Sequence, residues 1–194
     1  MQLLRASQYR RVPWRNGGGE TLEILVYPAD AGTEFEWRVS MAPVTAPGPF
    51  SNFEGIDRVL TVIEGRGILL ALDGAAPVTV DAAPVAFSGD IPCTATLVDG
   101  PIVDLNVMTR RGRWRSDVRW AEAHDPIASS SHHLVLAADG PLSGRVGATR
   151  FALEPRDALL LDTAESAALD LAGRWLDIRL FPVGAATGGN TSSA

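Results

Sequence analysis

The chain has 194 residues, 46% of them hydrophobic, and a formal net charge of -6 from 17 basic and 23 acidic residues. That much apolar material excludes a wholly disordered chain, and basic residues scattered through an acidic sequence do not make the concentrated footprint of a phosphate-backbone binder. Every basic residue is an arginine, so a Schiff-base or P-loop lysine is excluded as well.

Along the chain, alternation dominates. Leu22, Ile24 and Val26 make one apolar face with Thr21, Glu23 and Leu25 opposite, and Phe35, Trp37, Val39 and Met41 alternate with Glu36, Arg38 and Ser40. A period of two predicts strands. Further strands are expected at 59–63, 68–72, 78–80, 95–98 and 102–108, separated by turn signals such as Glu64-Gly65-Arg66-Gly67, Asp73-Gly74 and Asp99-Gly100. Over 109–131 the alternation stops, which predicts a crossover. Its cluster of Arg110, Arg111, Arg113, Arg115 and Arg119 reads as a solvated connector rather than a nucleic-acid patch. Strands resume at 134–137, 145–153, 158–161, 168–171 and 175–181, and the Gly/Ala/Thr/Ser-rich segment 184–194 predicts a disordered tail. Short strands at this spacing, with no long amphipathic helix, predict an all-β sandwich or barrel. The halves are expected at 1–115, carrying a pocket, and 116–183.

One cysteine, Cys93, rules out an intramolecular disulfide. The first 15 residues hold no signal-length apolar core, and no segment nears the roughly 18 apolar residues that span a bilayer. A cytoplasmic protein with no membrane and no nucleic-acid partner is therefore expected.

Several stretches carry a resemblance. Pro13-Trp14-Arg15-Asn16-Gly17-Gly18-Gly19-Glu20-Thr21-Leu22-Glu23-Ile24 is followed by Trp37-Arg38-Val39-Ser40 and Pro49-Phe50-Ser51-Asn52-Phe53-Glu54-Gly55-Ile56-Asp57-Arg58. Phe87-Ser88-Gly89-Asp90 and Asp104-Leu105-Asn106-Val107-Met108 come later. Together they resemble the HutD/Ves family, associated with bacterial histidine utilisation, closely up to residue 115 and less closely beyond. The resemblance implies a cupin-type double-stranded β-helix with two barrel-like halves (a bicupin) and a small-molecule pocket. Val59 through Gly67 resembles the hairpin that closes the first cupin motif, and Gly89-Asp90 resembles the start of the second. Leu153-Glu154-Pro155-Arg156-Asp157-Ala158-Leu159 resembles a degenerate repeat, with Arg156 where glycine is usual.

A metal-binding cupin supplies two histidines and a glutamate from its first motif. Counted back from Gly65, the glutamate position holds Arg58, the histidine positions fall among Ser51, Asn52, Phe53 and Glu54, and no histidine precedes His124. A metal needs converging imidazole, thiolate or carboxylate ligands, and a guanidinium repels it. His124, His132 and His133 lie in or beside the connector and are expected to be exposed. Neighbours on a strand face opposite ways, so His132 and His133 do not chelate together. Neither metal nor cofactor is expected.

The strand 102–108 is apolar on one face, with Val103, Leu105 and Val107, and mixed on the other, with Ile102, Asp104, Asn106 and Met108. It should separate a core from a cavity, and Asp104 and Asn106 must find partners there. Arg38 and Arg58 are the candidates, with Ser40 beside Arg38; the alternative is a purely structural network. The glycines, Gly17 and Gly18 among them, permit inward amides that form an anion nest, or simply a loop. Trp14, Asn16, Thr21 and Glu23 flank them, and Phe50, Ser51 and Phe53 face them across the barrel mouth. This mixture of apolar walls and few polar groups lines a small-molecule site or plugs the barrel end.

Three functions follow. A binding module would hold a small carboxylate metabolite by Arg38 or Arg58; the family association implies urocanate or formylglutamate. A metal-free isomerase or lyase would use Glu23, Asp104 or Asp90 as acid or base, although no catalytic residue is assigned and Cys93 reads as a packing residue. An interaction protein would use a sheet edge, with a homodimer as its simplest form.

Overall fold

The computed structural model describes residues 1–14, 19–29, 31, 34–123, 125 and 130–184. Asn16, Gly17, Gly18, His124 and the expected tail from 185 onward lie outside the described residues. The architecture is nearly all β, as the alternation requires. Among the described residues the one α-helix, α1 (Thr163–Ala167), starts at a capping box in which the Asp162 carboxylate accepts the Glu165 amide and the Glu165 carboxylate accepts the Asp162 amide. Among the described residues no helix is long and apolar enough to cross a membrane.

Four antiparallel sheets form two units. In the first, a six-stranded sheet runs β2 (Arg10–Pro13), β3 (Glu20–Tyr27), β4 (Trp37–Val44), β11 (Ile102–Arg110), β6 (Ile56–Glu64) and β9 (Val85–Ser88). It faces a four-stranded sheet of β5 (Gly48–Phe50), β10 (Cys93–Leu97), β7 (Ile68–Leu72) and β8 (Val78–Val80) across a core that includes Leu60, Ile68, Leu70 and Ile102. In the second, β1 (Gln2–Leu4), β16 (Ala158–Leu161), β13 (His132–Leu136), β18 (Arg174–Pro182) and β12 (Trp114–Glu122) face β15 (Thr149–Leu153), β14 (Leu142–Val146) and β17 (Leu169–Ala172). The strand order repeats: β4-β11-β6-β9 in one unit matches β12-β18-β13-β16 in the other, and β10-β7-β8 matches β17-β14-β15. The large sheets meet back to back, where Val39, Met41, Leu105 and Val107 pack with Leu134, Leu136, Ile178 and Leu180.

Five local expectations are corrected. Within the supposed connector a short turn at 111–113 follows β11, and β12 then pairs with β18 along its whole length. Trp114, Val118 and Trp120 do alternate and pack on the inter-unit core, but Ser116 interrupts the apolar rhythm. The arginines of this stretch are paired rather than merely solvated, Arg111 with Asp57 and Asp90 and Arg113 with Glu36. The boundary at 115 falls inside β12, and β1, from the far end of the chain, joins the second unit beside β16. The single strand at 145–153 is a hairpin turning at Gly147, whose φ of 57 suits glycine. In β3 a register shift between Glu23 and Leu25 puts Leu25 opposite Val39 and Val26 opposite Arg38, so the expected Leu22/Ile24/Val26 face does not persist.

Candidate functional site

β11 is the wall between two environments. Its Leu105 and Val107 point into the inter-unit core, whereas Met108, Asn106 and Asp104 look into the first unit. Across the ladder, Met108 lies between Arg38 and Arg58, Asn106 between Ser40 and Leu60, and Asp104 between Ala42 and Val62, while Ser40 pairs onward with Glu23. Six expected site residues, Glu23, Arg38, Ser40, Arg58, Asp104 and Asn106, therefore share one sheet region.

Arg58 is the centre of it. Only 2% exposed, its guanidinium lies 5.4, 5.5 and 5.0 Å from the ring centroids of Phe50, Phe53 and Phe87. Its Nη1 donates to the Ser51 carbonyl at 3.1 Å and its Nε faces Asn106 Oδ1 at 3.5 Å. Among the described residues Nη2 has no hydrogen-bond partner, and no carboxylate comes within ion-pair distance of Arg58. Burial lowers its pKa, with Cys93 and Asp104 opposing that shift and Arg38 adding to it. A guanidinium stays charged regardless. Ser51 itself is exposed and contributes only its backbone.

The loop that presents Phe53 is pinned by Gly89. Its amide donates to the Ile56 carbonyl at 2.7 Å and its carbonyl accepts the Phe53 amide at 2.8 Å. A Cβ at Gly89 would sit 2.7 Å from the Phe53 carbonyl oxygen, so only glycine fits. Asp90, considered above as a possible acid or base, serves the same loop. It accepts the Gly55 amide, the Ser88 hydroxyl and Arg111, which pull it down to about 2.

Glu23 is also committed. It is 7% exposed, and its carboxylate receives Arg10 at 2.6 and 2.9 Å and Arg38 Nε at 2.8 Å. The clamp by Arg38 is thus turned toward Glu23, which leaves Arg58 as the arginine without a carboxylate. Trp14 packs on the first unit's core and donates from Nε1 to Thr21 Oγ1 at 2.9 Å, so both are structural contacts at the sheet end.

Asp104 is the remaining carboxylate. It is 2% exposed, and burial lifts it to about 7 against the pull of Arg58 and of a hydrogen bond from the Ala42 amide. Burial likewise raises the Cys93 thiol, with Arg58 drawing it down. Phe50 and Cys93 both belong to the core around Arg58 and both line a groove of about 470 Å³ with Pro49, Asn52, Asp73 and Thr94. The groove does not reach Arg58, Asp104 or Asn106 directly; Phe50 and Cys93 stand between.

Cupins imply a metal, and the donor set here does not fit one. The guanidiniums of Arg58 and Arg38 both carry charge of the same sign as a cation, and no three of the described His, Cys, Asp and Glu residues group to hold an ion.

The second unit holds a buried cluster that the sequence reading missed, and its histidine corrects the expectation of exposure. His133 is fully buried, with Nε2 2.5 Å from Asp177 Oδ1 and Nδ1 3.1 Å from Ser166 Oγ. Asp177 also receives Arg179 at 2.5 Å and Arg119 at 3.2 Å. Burial works to raise Asp177, but His133, Arg179 and Arg119 hold it below the usual carboxylate range. Despite its composition this is not a nucleophilic triad. The Ser166 hydroxyl donates to the Asp162 carbonyl at 2.7 Å, so its proton points away from the imidazole that would have to take it. The position is telling, however. His133 pairs with Arg179 and Leu161 as Arg58 pairs with Met108 and Phe87, so both units bury a polar side chain on corresponding strands. The signal was Asp177 and Arg179 alternating with Leu176, Ile178 and Leu180, the same pattern that singles out Asp104 and Asn106 on β11. His132, on the other face, is half-buried among Tyr27, Trp37 and Trp114.

The family model described as HutD matches residues 6–176. A 21.2 kDa protein from the hutC 3′ region of Pseudomonas putida is 37% identical over 141 residues, 71% of this chain and 73% of that protein. Protein Ves of Citrobacter koseri is 42% identical over 118 residues, covering 58% of this chain and 61% of Ves. HutD from Pseudomonas fluorescens SBW25, solved in a formate condition, superposes with a TM-score of 0.78 at 32% identity, covering 94% of this chain and 99% of that one. A Cupin 2 conserved barrel domain protein from Leptotrichia buccalis, 11% identical with a TM-score of 0.51 over 84% of this chain and 88% of its own, shares the fold alone.

Proposed function

The chain belongs to the HutD family, with a cupin-like fold and a relative from the hutC region, and from that premise we propose that it binds a small carboxylate metabolite at Arg58 without a metal. One observation carries the reading: an Arg58 side chain only 2% exposed that has, among the described residues, one backbone hydrogen bond, a 3.5 Å contact to Asn106 and no carboxylate on it. Burying a charge costs several kcal/mol unless it is compensated, and three aromatic rings compensate only in part. A carboxylate entering from the groove past Phe50 and Cys93 supplies the missing anion. Phe50, Phe53 and Phe87 would then flank its apolar part, and Asn106 would take a second polar group. In keeping with the hut association we take urocanate or formylglutamate as the ligand, and sequestering it would modulate histidine utilisation. The formate condition of the P. fluorescens protein makes formate the natural minimal probe.

Thermal unfolding tests this. Formate, urocanate or N-formyl-L-glutamate should raise Tm, since a ligand at 100 times its Kd adds about 2.7 kcal/mol to the native state. Arg58→Met should still melt cooperatively and lose the shift. No shift with any of the three acids, or an undiminished one in Arg58→Met, overturns the reading.

A further inference from the structure

We propose that the Arg58 chamber takes its ligand carboxylate together with one proton, which is received by Asp104, so that affinity falls as the solution becomes more alkaline. This rests on the carboxylate reading above and adds the regulation of that site.

The geometry is one of charge matching. On the inner face of the six-stranded sheet, Arg58 and Asp104 lie on adjacent strands, four ladder rows apart, with Asn106 midway between them and facing Arg58 Nε. They interact electrostatically without reaching ion-pair distance. Among the described residues, the other charged groups facing them are committed elsewhere. From β3, Glu23 is held by Arg10 of β2 and by Arg38 of β4. β9 and β5 contribute the rings of Phe87 and Phe50, and β10 contributes the Cys93 thiol, whose ordinary state carries no charge. Among the described residues Arg58 and Asp104 are thus each other's only uncommitted counter-charge.

A ligand carboxylate on Arg58 would set a second anion beside the guanidinium that already acts on Asp104, where both side chains are only 2% exposed. Two carboxylates sharing such a site do not both ionise, and one takes a proton. The ligand's carboxylate is hydrogen-bonded by the guanidinium, whereas Asp104 has only the Ala42 amide, so Asp104 receives the proton. The unliganded protein is already close to that state, with Asp104 lifted to about 7 by burial. Below that pH Asp104 is neutral and affinity is at its maximum. Above it, each binding event must recruit a proton from solution, and affinity drops by up to about tenfold per pH unit.

The test is calorimetric titration of formate and N-formyl-L-glutamate, simple carboxylic acids with ordinary pKa values of about 4 that do not titrate between pH 6 and 8. Measured at pH 8 in phosphate and in Tris, whose ionisation heats differ, binding should take up close to one proton per site. Uptake should be near zero at pH 6, where binding is about tenfold tighter. Asp104→Asn should abolish both the uptake and the pH dependence. Binding at pH 8 with no proton uptake overturns the coupling and leaves the carboxylate site standing. Failure of both probes to bind at pH 6 overturns the carboxylate reading and the coupling with it. Should Asp104→Asn not fold, the wild-type proton count decides alone.

Discussion

Arg58 and Asp104 are both buried, but burial acts on them differently because only one can shed its charge. The guanidinium remains ionised at any accessible pH, whereas Asp104 escapes the desolvation cost by taking a proton. That has a consequence for stability without any ligand. The folded-state pKa of Asp104, about 7, lies above its unfolded value near 3.9. The group therefore contributes stability that is fully present below pH 4 and is lost as the pH climbs to 7. The three-unit difference sets an upper limit of roughly 4 kcal/mol. Other carboxylates, such as Asp157 and Asp177, shift downward and act in the opposite sense at low pH, so the difference between proteins is the useful quantity. Denaturant unfolding of Asp104→Asn and wild type should show the variant gaining on wild type steadily between pH 4 and pH 7. A difference that does not change with pH would show that Asp104 is ionised in the fold throughout. Arg58 was legible because an arginine stands where cupins keep an acidic ligand. Arg156 was legible too, as the residue replacing a turn glycine, and it does adopt a φ of 71. Glu23 was legible as a site residue but not as a captive one, since Arg10 lies thirteen positions earlier and meets it only through the β2–β3 ladder.

At the level of single elements, β11 has the most to lose. Its alternate residues serve two unlike tasks, and substitutions should separate them. Leu105 is fully buried between the sheets of the two units, and Leu105→Ala should cost about 2–5 kcal/mol through lost burial and the cavity left behind. Asn106→Ala, one residue on, removes a contact at the limit of hydrogen-bonding distance and should cost stability little while weakening carboxylate binding. Chemical denaturation and the Tm shift with formate would read the two effects. If both variants lost stability alike, β11 would not be a wall between core and chamber. Strands of this kind announce themselves through strict alternation. β12 did not, because Ser116 breaks its apolar row, and the hairpin of β14 and β15 was hidden because Gly147 stands between two stretches of suitable residues. Neither error touched the site, since both lie in the second unit. The cost fell instead on the cluster around His133, whose strand β18 was read only for its core-forming face.

The two units are similar in strand order yet do not stand alone. The outer face of each large sheet is apolar and is covered only by the other: Leu134, Leu136, Ile178 and Leu180 are each fully buried against Val39, Met41, Leu105 and Val107. Exposing four such side chains forfeits roughly 6–12 kcal/mol at about 1.5–3 kcal/mol each, which is comparable to the whole stability of a typical domain. The chain path adds to this, because β1 completes the second unit's sheet from the opposite end of the sequence, and Arg5 and the Ala6 amide bind Asp157 beside it. Arg156 of the second unit also pairs with Glu64 of the first through both carboxylate oxygens at 2.6 Å. The intact protein should therefore unfold in one calorimetric transition whose van't Hoff and measured enthalpies agree. Residues 114–184 expressed alone should show no cooperative melt, and supplying residues 1–5 at their N-terminus should not rescue it, because the missing cover is the first unit's sheet rather than β1. Two resolved transitions in the intact chain, or a sharp melt in the fragment, would mean that the back-to-back interface contributes far less than its burial implies. In that event the Arg58 chamber, whose wall β11 is braced by the same interface, would be free to change shape without unfolding the second unit.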